Sequence, residues 1–303
     1  MYDIIGDIHG HYDLLLNMLQ TLGYEPNGGT FKHPDRKVIF TGDIINRGPK
    51  IRKTVNLVRG MVESGNAQCI LGNHELNAIL YGTMDKNGKF LQKHLPRFQL
   101  PLMKTLDEYK KYPGEFNEII KWFRTLPLYL DLGELRVVHG AWIDSHIETL
   151  NHFLAGETKL KKSFLKTYIT NKELNTAVNE IIKGVEMQLP KDLLLKDNKA
   201  IIRRSYRIKW WTDPTGKTFR NIAFGNQFDL PAYTIPPEVL PTTYPYSPDA
   251  PPVFLGHYCL NKKKVIYQNN ICCVDNCVTR TNQLTAYRWQ GERQLTAEYL
   301  IKV

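Results

Sequence analysis

Six side chains with metal-binding atoms recur at one kind of place in this 303-residue sequence, just past a short apolar run. Asp7 and His9 stand in Gly6-Asp7-Ile8-His9-Gly10, and Asp43 in Gly42-Asp43-Ile44-Ile45-Asn46-Arg47-Gly48. Asn73 stands in Gly72-Asn73-His74-Glu75, while His139 and His257 each follow an apolar stretch and adjoin a glycine. Carboxylate oxygen, amide oxygen and imidazole nitrogen together suit divalent Mn, Fe or Zn. Two such ions about 3.5 to 4 Å apart need a set of this kind, with one carboxylate bridging them. The expected division is Asp7, His9 and Asp43 on one ion, and Asp43, Asn73, His139 and His257 on the other. A water or hydroxide shared by the ions has its pKa drawn towards roughly 7, and the chemistry this suits is in-line attack on a phosphorus ester. His11, His33, His94, His146 and His152 lack the strand-end context and read as ordinary surface or core residues.

These residues need elements that bring them to one place. The opening apolar run reads as a strand, and Leu14, Leu15, Met18, Leu19 and Leu22 recur at helical spacing after it. A second strand is expected over 37–41, then a helix after Pro49 whose stripe is Ile51, Val55, Val58 and Val62, then a third strand over 67–71. Two β-α-β units in series imply parallel strands with right-handed crossovers. All three loops then emerge at the carboxyl edge of one sheet, where ligands bind. Residues 81–118 show too little periodicity to assign, apart from a helix over 116–126. A hairpin is expected from 128–132 and 135–138 around Gly133-Glu134, and further strands over 252–255, 271–274 and 284–289.

Composition narrows the function class. A 42% hydrophobic content marks a globular chain, and a net charge of +10 favours anionic substrates or surfaces. No apolar run reaches the roughly eighteen residues of a membrane span. Without a basic start and apolar stretch at the N-terminus, a cytoplasmic location is expected. The five cysteines match no paired zinc spacing, and the cluster Cys272, Cys273 and Cys277 is expected to be buried thiols on a late strand. Residues 155–230 hold 15 Lys and Arg against 8 Asp and Glu, and a Pro-rich irregular passage follows over 231–252. This stretch reads either as a solvated cap or as a substrate lid whose Arg and Trp side chains meet phosphates and bases.

Taken together, the three Gly-Asp and Gly-Asn-His loops, Val138-His139 and Gly256-His257 resemble the calcineurin-like metallophosphoesterases. Within them the chain looks most similar to the bacterial branch near the phosphoprotein phosphatases and the symmetrical dinucleoside tetraphosphatases. The resemblance covers about residues 2–142 and 252–290. It implies an α/β fold, a four-layer α/β/β/α sandwich of two mixed β-sheets, in a single domain 1–303 with residues 143–252 inserted as a basic cap. It implies two divalent ions, Mn first and Fe or Zn next, on the ligands named above. It adds His74 as the general acid for the leaving oxygen and Arg47 as a clamp on phosphate oxygens. One position departs from the pattern: Asn46 stands where these phosphatases usually carry an Asp that orients and charges the equivalent of His74. An amide can hold an imidazole but cannot stabilise an imidazolium as a carboxylate does. The expected substrate is therefore a nucleotide-type phosphoanhydride or an activated phosphomonoester. The alternatives are a serine/threonine phosphoprotein phosphatase and, in another class, a non-catalytic protein binding phosphate or nucleic acid through the basic cap.

Overall fold

Ile4 and Ile5, Ile39 and Phe40, and Phe254 and Leu255 are consecutive apolar pairs, all fully buried. A strand turns successive side chains to opposite faces, so each pair needs cover on both sides. The computed structural model, which describes residues 1–189, 195–196, 202–225, 230–260 and 265–303, supplies that cover with two five-stranded sheets. The first sheet runs in the order Leu300–Lys302, Thr285–Trp289, Tyr2–Ile5, Lys37–Phe40, Ala67–Cys69. Its last three strands are parallel and the other two join antiparallel. The second runs Ile266–Gln268, Ile271–Cys273, Val253–Leu255, Arg136–Val138, Tyr129–Asp131, with three parallel strands between antiparallel edges.

Register decides which residues meet between the sheets. Ile4 lies between Tyr287 and Ile39, and Phe254 between Val137 and Cys272. All six belong to one buried cluster, and the rings of Phe254 and Tyr287 touch across it with centroids 5.1 Å apart. The alternate residues face outward. Ile5 and Phe40 join Leu15, Leu19, Val55 and Val58 of the helices Tyr12–Thr21 and Ile51–Glu63. Leu255 and Cys273 join Val178 and Ile181 of the helix Lys172–Lys183. Helix, sheet, sheet and helix form the four layers that the resemblance implies.

The elements follow the sequence expectations closely where burial is periodic. The expected hairpin pairs Tyr129–Asp131 with Arg136–Val138, and the helix expected over 116–126 runs as Pro113–Phe123, with Pro113 at its first turn. The unassigned stretch 81–118 contains the helix Met103–Tyr109, which buries only Thr105 and Tyr109 and so leaves almost no apolar stripe to read. Residues 231–252 are irregular apart from the 3₁₀ turn Pro237–Val239.

Two expectations need correction. Trp210 and Trp211 of the basic stretch are core residues, packed edge to face on one another and against Tyr246 and Phe224, so neither is available to stack on a base. Cys272 and Cys273 are buried thiols as expected, but Cys277 is joined to Cys259 by a disulfide. The reason is local: the Asp275 carboxylate accepts both the Cys259 and Cys277 backbone N–H, at 2.6 and 2.8 Å, and so draws the two turns together. Residues 190–194, 197–201 and 226–229 of the basic stretch lie outside the described residues. Among the described residues no helix is long and apolar enough to cross a membrane.

Candidate metal centre

The loops after the parallel strands are stitched to one another by backbone. His9 N–H donates to Asp43 O and Gly10 N–H to Ile44 O, each at 2.9 Å, while Gly256 N–H donates to His139 O at 3.1 Å. The fit is tight enough to exclude side chains at two glycines. A Cβ on Gly72 would collide with Asp43, and one on Gly256 with the Asp7 carboxylate. Backbone strain is concentrated here too. His9, Asp43, Asn46, Arg47 and His257 all have positive φ, five of the nine non-glycine residues that do among those described. Non-glycine residues reach that region at a cost, and such strain clusters at functional sites.

Asp43 lies at the centre. Its Oδ1 is 3.3 Å from His139 Nε2 and accepts the His74 backbone N–H at 2.9 Å. Its Oδ2 is 3.8 Å from both His9 Nε2 and His74 Nε2. Ligand atoms of His9, Asp43 and His74 lie within 4.8 Å of one another, and so do those of Asp43, His139 and His257. Asp43 therefore belongs to two adjoining groups. The rest of each imidazole is held by its other nitrogen: His9 Nδ1 donates to Ile45 O at 2.9 Å and His139 Nδ1 to Thr41 O at 2.6 Å. His257 Nδ1 donates to Asn73 Oδ1 at 2.7 Å. Each contact frees Nε2 to face the centre. Asp7 sits beside these groups, its Oδ2 accepting the His257 backbone N–H at 3.0 Å and its Oδ1 lying 4.0 Å from His139 Nδ1.

Burial and mutual charge set the protonation of these groups. Burial pushes Asp7 well above the usual carboxylate range, and the Asp275 carboxylate adds to the shift. Burial acts the same way on Asp43, but His139, His74 and His9 outweigh it and hold Asp43 well below that range. Burial would lower His139, yet Asp43 and Asp7 raise it to about 10. Burial lowers His9 to about 3, His74 to about 4, and His257 well below an ordinary imidazole. His9, His74 and His257 are therefore neutral, the protonation state that metal ligands require, while His139 carries a proton that an ion would have to displace. His257 Nε2 is buried without a hydrogen-bond partner, the kind of orphan that a divalent ion satisfies, and His139 Nε2 faces the Asp43 carboxylate at 3.3 Å. The residues present thus fit a pair of divalent cations.

Of the three further residues singled out from sequence, His74 and Asn46 are buried at the centre and Arg47 stands at the rim. Arg47 is exposed, with Nη2 3.2 Å from His74 Nε2. Asn46 is buried, with Nδ2 2.6 Å from His74 Nδ1. Sequence reasoning passed over Glu75, whose carboxylate accepts the N–H groups of Asp43, Ile44, Ile45 and Gly72 between 2.8 and 3.2 Å. A signal existed for it, because a Glu at the third position of a helix is the capping-box residue. Thr105 and Asp275 carried no such signal.

Residues 2–218 match the calcineurin-like phosphoesterase family. Similar curated proteins include the bis(5'-nucleosyl)-tetraphosphatase PrpE [asymmetrical] of Geobacillus sp. (strain WCH70), 34% identical over 145 residues, or 45% of this chain and 56% of that protein. The protein of the same name from Bacillus subtilis (strain 168) is 36% identical over 141 residues, 46% of this chain and 56% of that protein. The chain spans little more than half the length of these relatives, and their name is the asymmetrical kind where the sequence resemblance pointed to the symmetrical. A solved mutant of a cold-active protein tyrosine phosphatase aligns over 96% of this chain and 78% of its own, with a TM-score of 0.51 at 15% identity, which shows a shared fold. With two mixed sheets, the strand-end loops and a family match over most of its length, this chain belongs to the calcineurin-like phosphoesterases.

Proposed function

We propose that this chain hydrolyses a nucleotide-type phosphoanhydride or activated phosphomonoester with the help of two divalent ions. The observation that carries the proposal is the sharing of Asp43 between two adjoining groups of ligand atoms. Asp7, His9 and Asp43 would hold one ion and Asp43, Asn73, His139 and His257 the other, with Mn the first candidate and Fe or Zn the next. When bound, such a pair supplies Lewis acidity and lowers the pKa of a water towards about 7.

The chain's own groups handle the rest of the substrate. Arg47 presents a planar fork suited to two phosphate oxygens. With Asn46 donating to Nδ1, the His74 proton would rest on Nε2, the nitrogen beside Arg47. A neutral imidazole N–H donates a hydrogen bond to the leaving oxygen without delivering a full charge. That suffices for a pyrophosphate or aryl oxide and falls short for the alkoxide of phosphoserine. The tetraphosphatase name of the relatives supports the same substrate class. The proposal treats residues 1–303 as one domain in which 143–252 is an inserted substrate-selecting segment, acting in the cytoplasm.

The test gives Mn-loaded protein diadenosine tetraphosphate, p-nitrophenyl phosphate and phosphoserine peptides under one set of conditions. The expected order of kcat/KM places the dinucleotide first and the peptides last. Faster turnover of the peptides would make the chain a phosphoprotein phosphatase. Steeply salt-dependent nucleic-acid binding with no turnover of any substrate would make it a binding protein instead.

A further inference from the structure

We infer that Thr105 is a positioning residue for His74, acting through Asn46, and that it supplies the orientation which an amide needs and a carboxylate at position 46 does not. This rests on the role proposed above for His74. Thr105 and Asn46 are both fully buried. Thr105 Oγ1 donates to Asn46 Oδ1 at 2.5 Å, and Asn46 Nδ2 donates to His74 Nδ1 at 2.6 Å. Among the described residues, the bond to Asn46 is the one hydrogen bond of the Thr105 side chain.

A carboxylate has two like ends, both acceptors, and either can face an imidazole. A carboxamide has one acceptor end and one donor end, so turning it over reverses what His74 meets. The Thr105 hydroxyl tells the two ends apart. With Oδ1 towards Thr105 the hydroxyl donates to it; with the amide reversed, the hydroxyl would accept from Nδ2 and its proton would lose this acceptor. Holding Oδ1 towards Thr105 leaves Nδ2 for His74, which fixes the lone pair on Nδ1 and the proton on Nε2. A neutral imidazole has a single acceptor nitrogen, so Asn46 Nδ2, 2.6 Å from Nδ1, and the Arg47 guanidinium, 3.2 Å from Nε2, compete to donate to it. The Thr105 hydroxyl decides for Asn46, and the Arg47 guanidinium is then turned from Nε2 towards a phosphate oxygen.

The helix that carries Thr105 is placed to do this. Lys104 Nζ donates to Arg47 O at 2.6 Å, and the Glu108 carboxylate accepts the Ile51 and Arg52 N–H groups at 2.8 Å each. Met103–Tyr109 therefore grips the loop from Asn46 to Arg52 at three points. Two residues of that loop, Asn46 and Arg47, hold strained positive φ and need outside support.

The experiment compares Thr105→Val, Thr105→Ala and Thr105→Ser, each alone and combined with Asn46→Asp, on the full chain. With diadenosine tetraphosphate, Thr105→Val and Thr105→Ala should lower kcat about tenfold with KM within about twofold, and Thr105→Ser should recover most of the loss. In the Asn46→Asp background, Thr105→Val should change kcat by less than about twofold, because no amide remains to orient. A readout independent of turnover is the ¹⁵N NMR signature of the His74 ring in protein saturated with diamagnetic zinc. Thr105→Val should shift the ring proton from Nε2 towards Nδ1, and Thr105→Ser should leave it on Nε2. Equal losses for Val and Ser, an equal loss in both backgrounds, or an unchanged ring in Thr105→Val would each overturn the inference. If the wild type turns over none of the substrates, the proposed function fails, while the ring signature still decides the role of Thr105.

Discussion

Asp43 and His139 are the candidate ligands whose protonation would set the affinity of the proposed site for cations. The carboxylate is held ionised chiefly by His139, and His139 is held protonated in return, at about 10. A divalent ion that ligates His139 must displace that proton. Lowering the pH strengthens the competing proton, so affinity should rise with pH. Calorimetric titration of Mn at several pH values should show the apparent affinity increasing about tenfold per unit between pH 6 and 8, one proton leaving per ion bound at that position. A flat profile would mean that His139 does not ligate. Glu75 contributes at the same scale without being a candidate ligand, since its carboxylate gathers four backbone N–H groups and fixes the turn on which Asp43 stands.

At the scale of elements, the site depends on the register of two sheets. Phe254 sits one residue before Leu255, its ring in the inter-sheet layer against Tyr287, and the same strand leads directly to Gly256 and His257. Replacing Phe254 with Ala should cost about 3–5 kcal/mol in urea unfolding, from lost burial and the cavity left behind. A cost under about 1 kcal/mol would contradict the inter-sheet packing. The strands and flanking helices could be read from sequence because each carries a periodic or continuous apolar run, and the strand-end loops with Asp7, Asp43 and Asn73 could be read because three of them recur in order. His139 and His257 were legible only through their apolar approach and neighbouring glycine. The helix Met103–Tyr109 was not legible, since it works through Lys104, Thr105 and Glu108, polar contacts that leave no periodic trace. Nor was the disulfide, which follows from two turns drawn together by Asp275 over a separation that pattern does not reveal.

For the whole molecule, a net charge of +10 and an exposed Arg47 beside the proposed cation site suit a polyanionic substrate. The burial of Trp210 and Trp211 means that the basic stretch contributes these aromatic rings to packing. Fold, charge and ligand geometry converge on one claim, that a single carboxylate serves two ions. Measuring bound Mn per chain together with hydrolysis of diadenosine tetraphosphate, in wild type and Asp43→Asn, tests it most directly. The account predicts two ions and turnover for the wild type, and for Asp43→Asn a folded protein that has lost tight binding of both ions and turns over substrate at background. Two tightly bound ions and undiminished turnover in Asp43→Asn would contradict it.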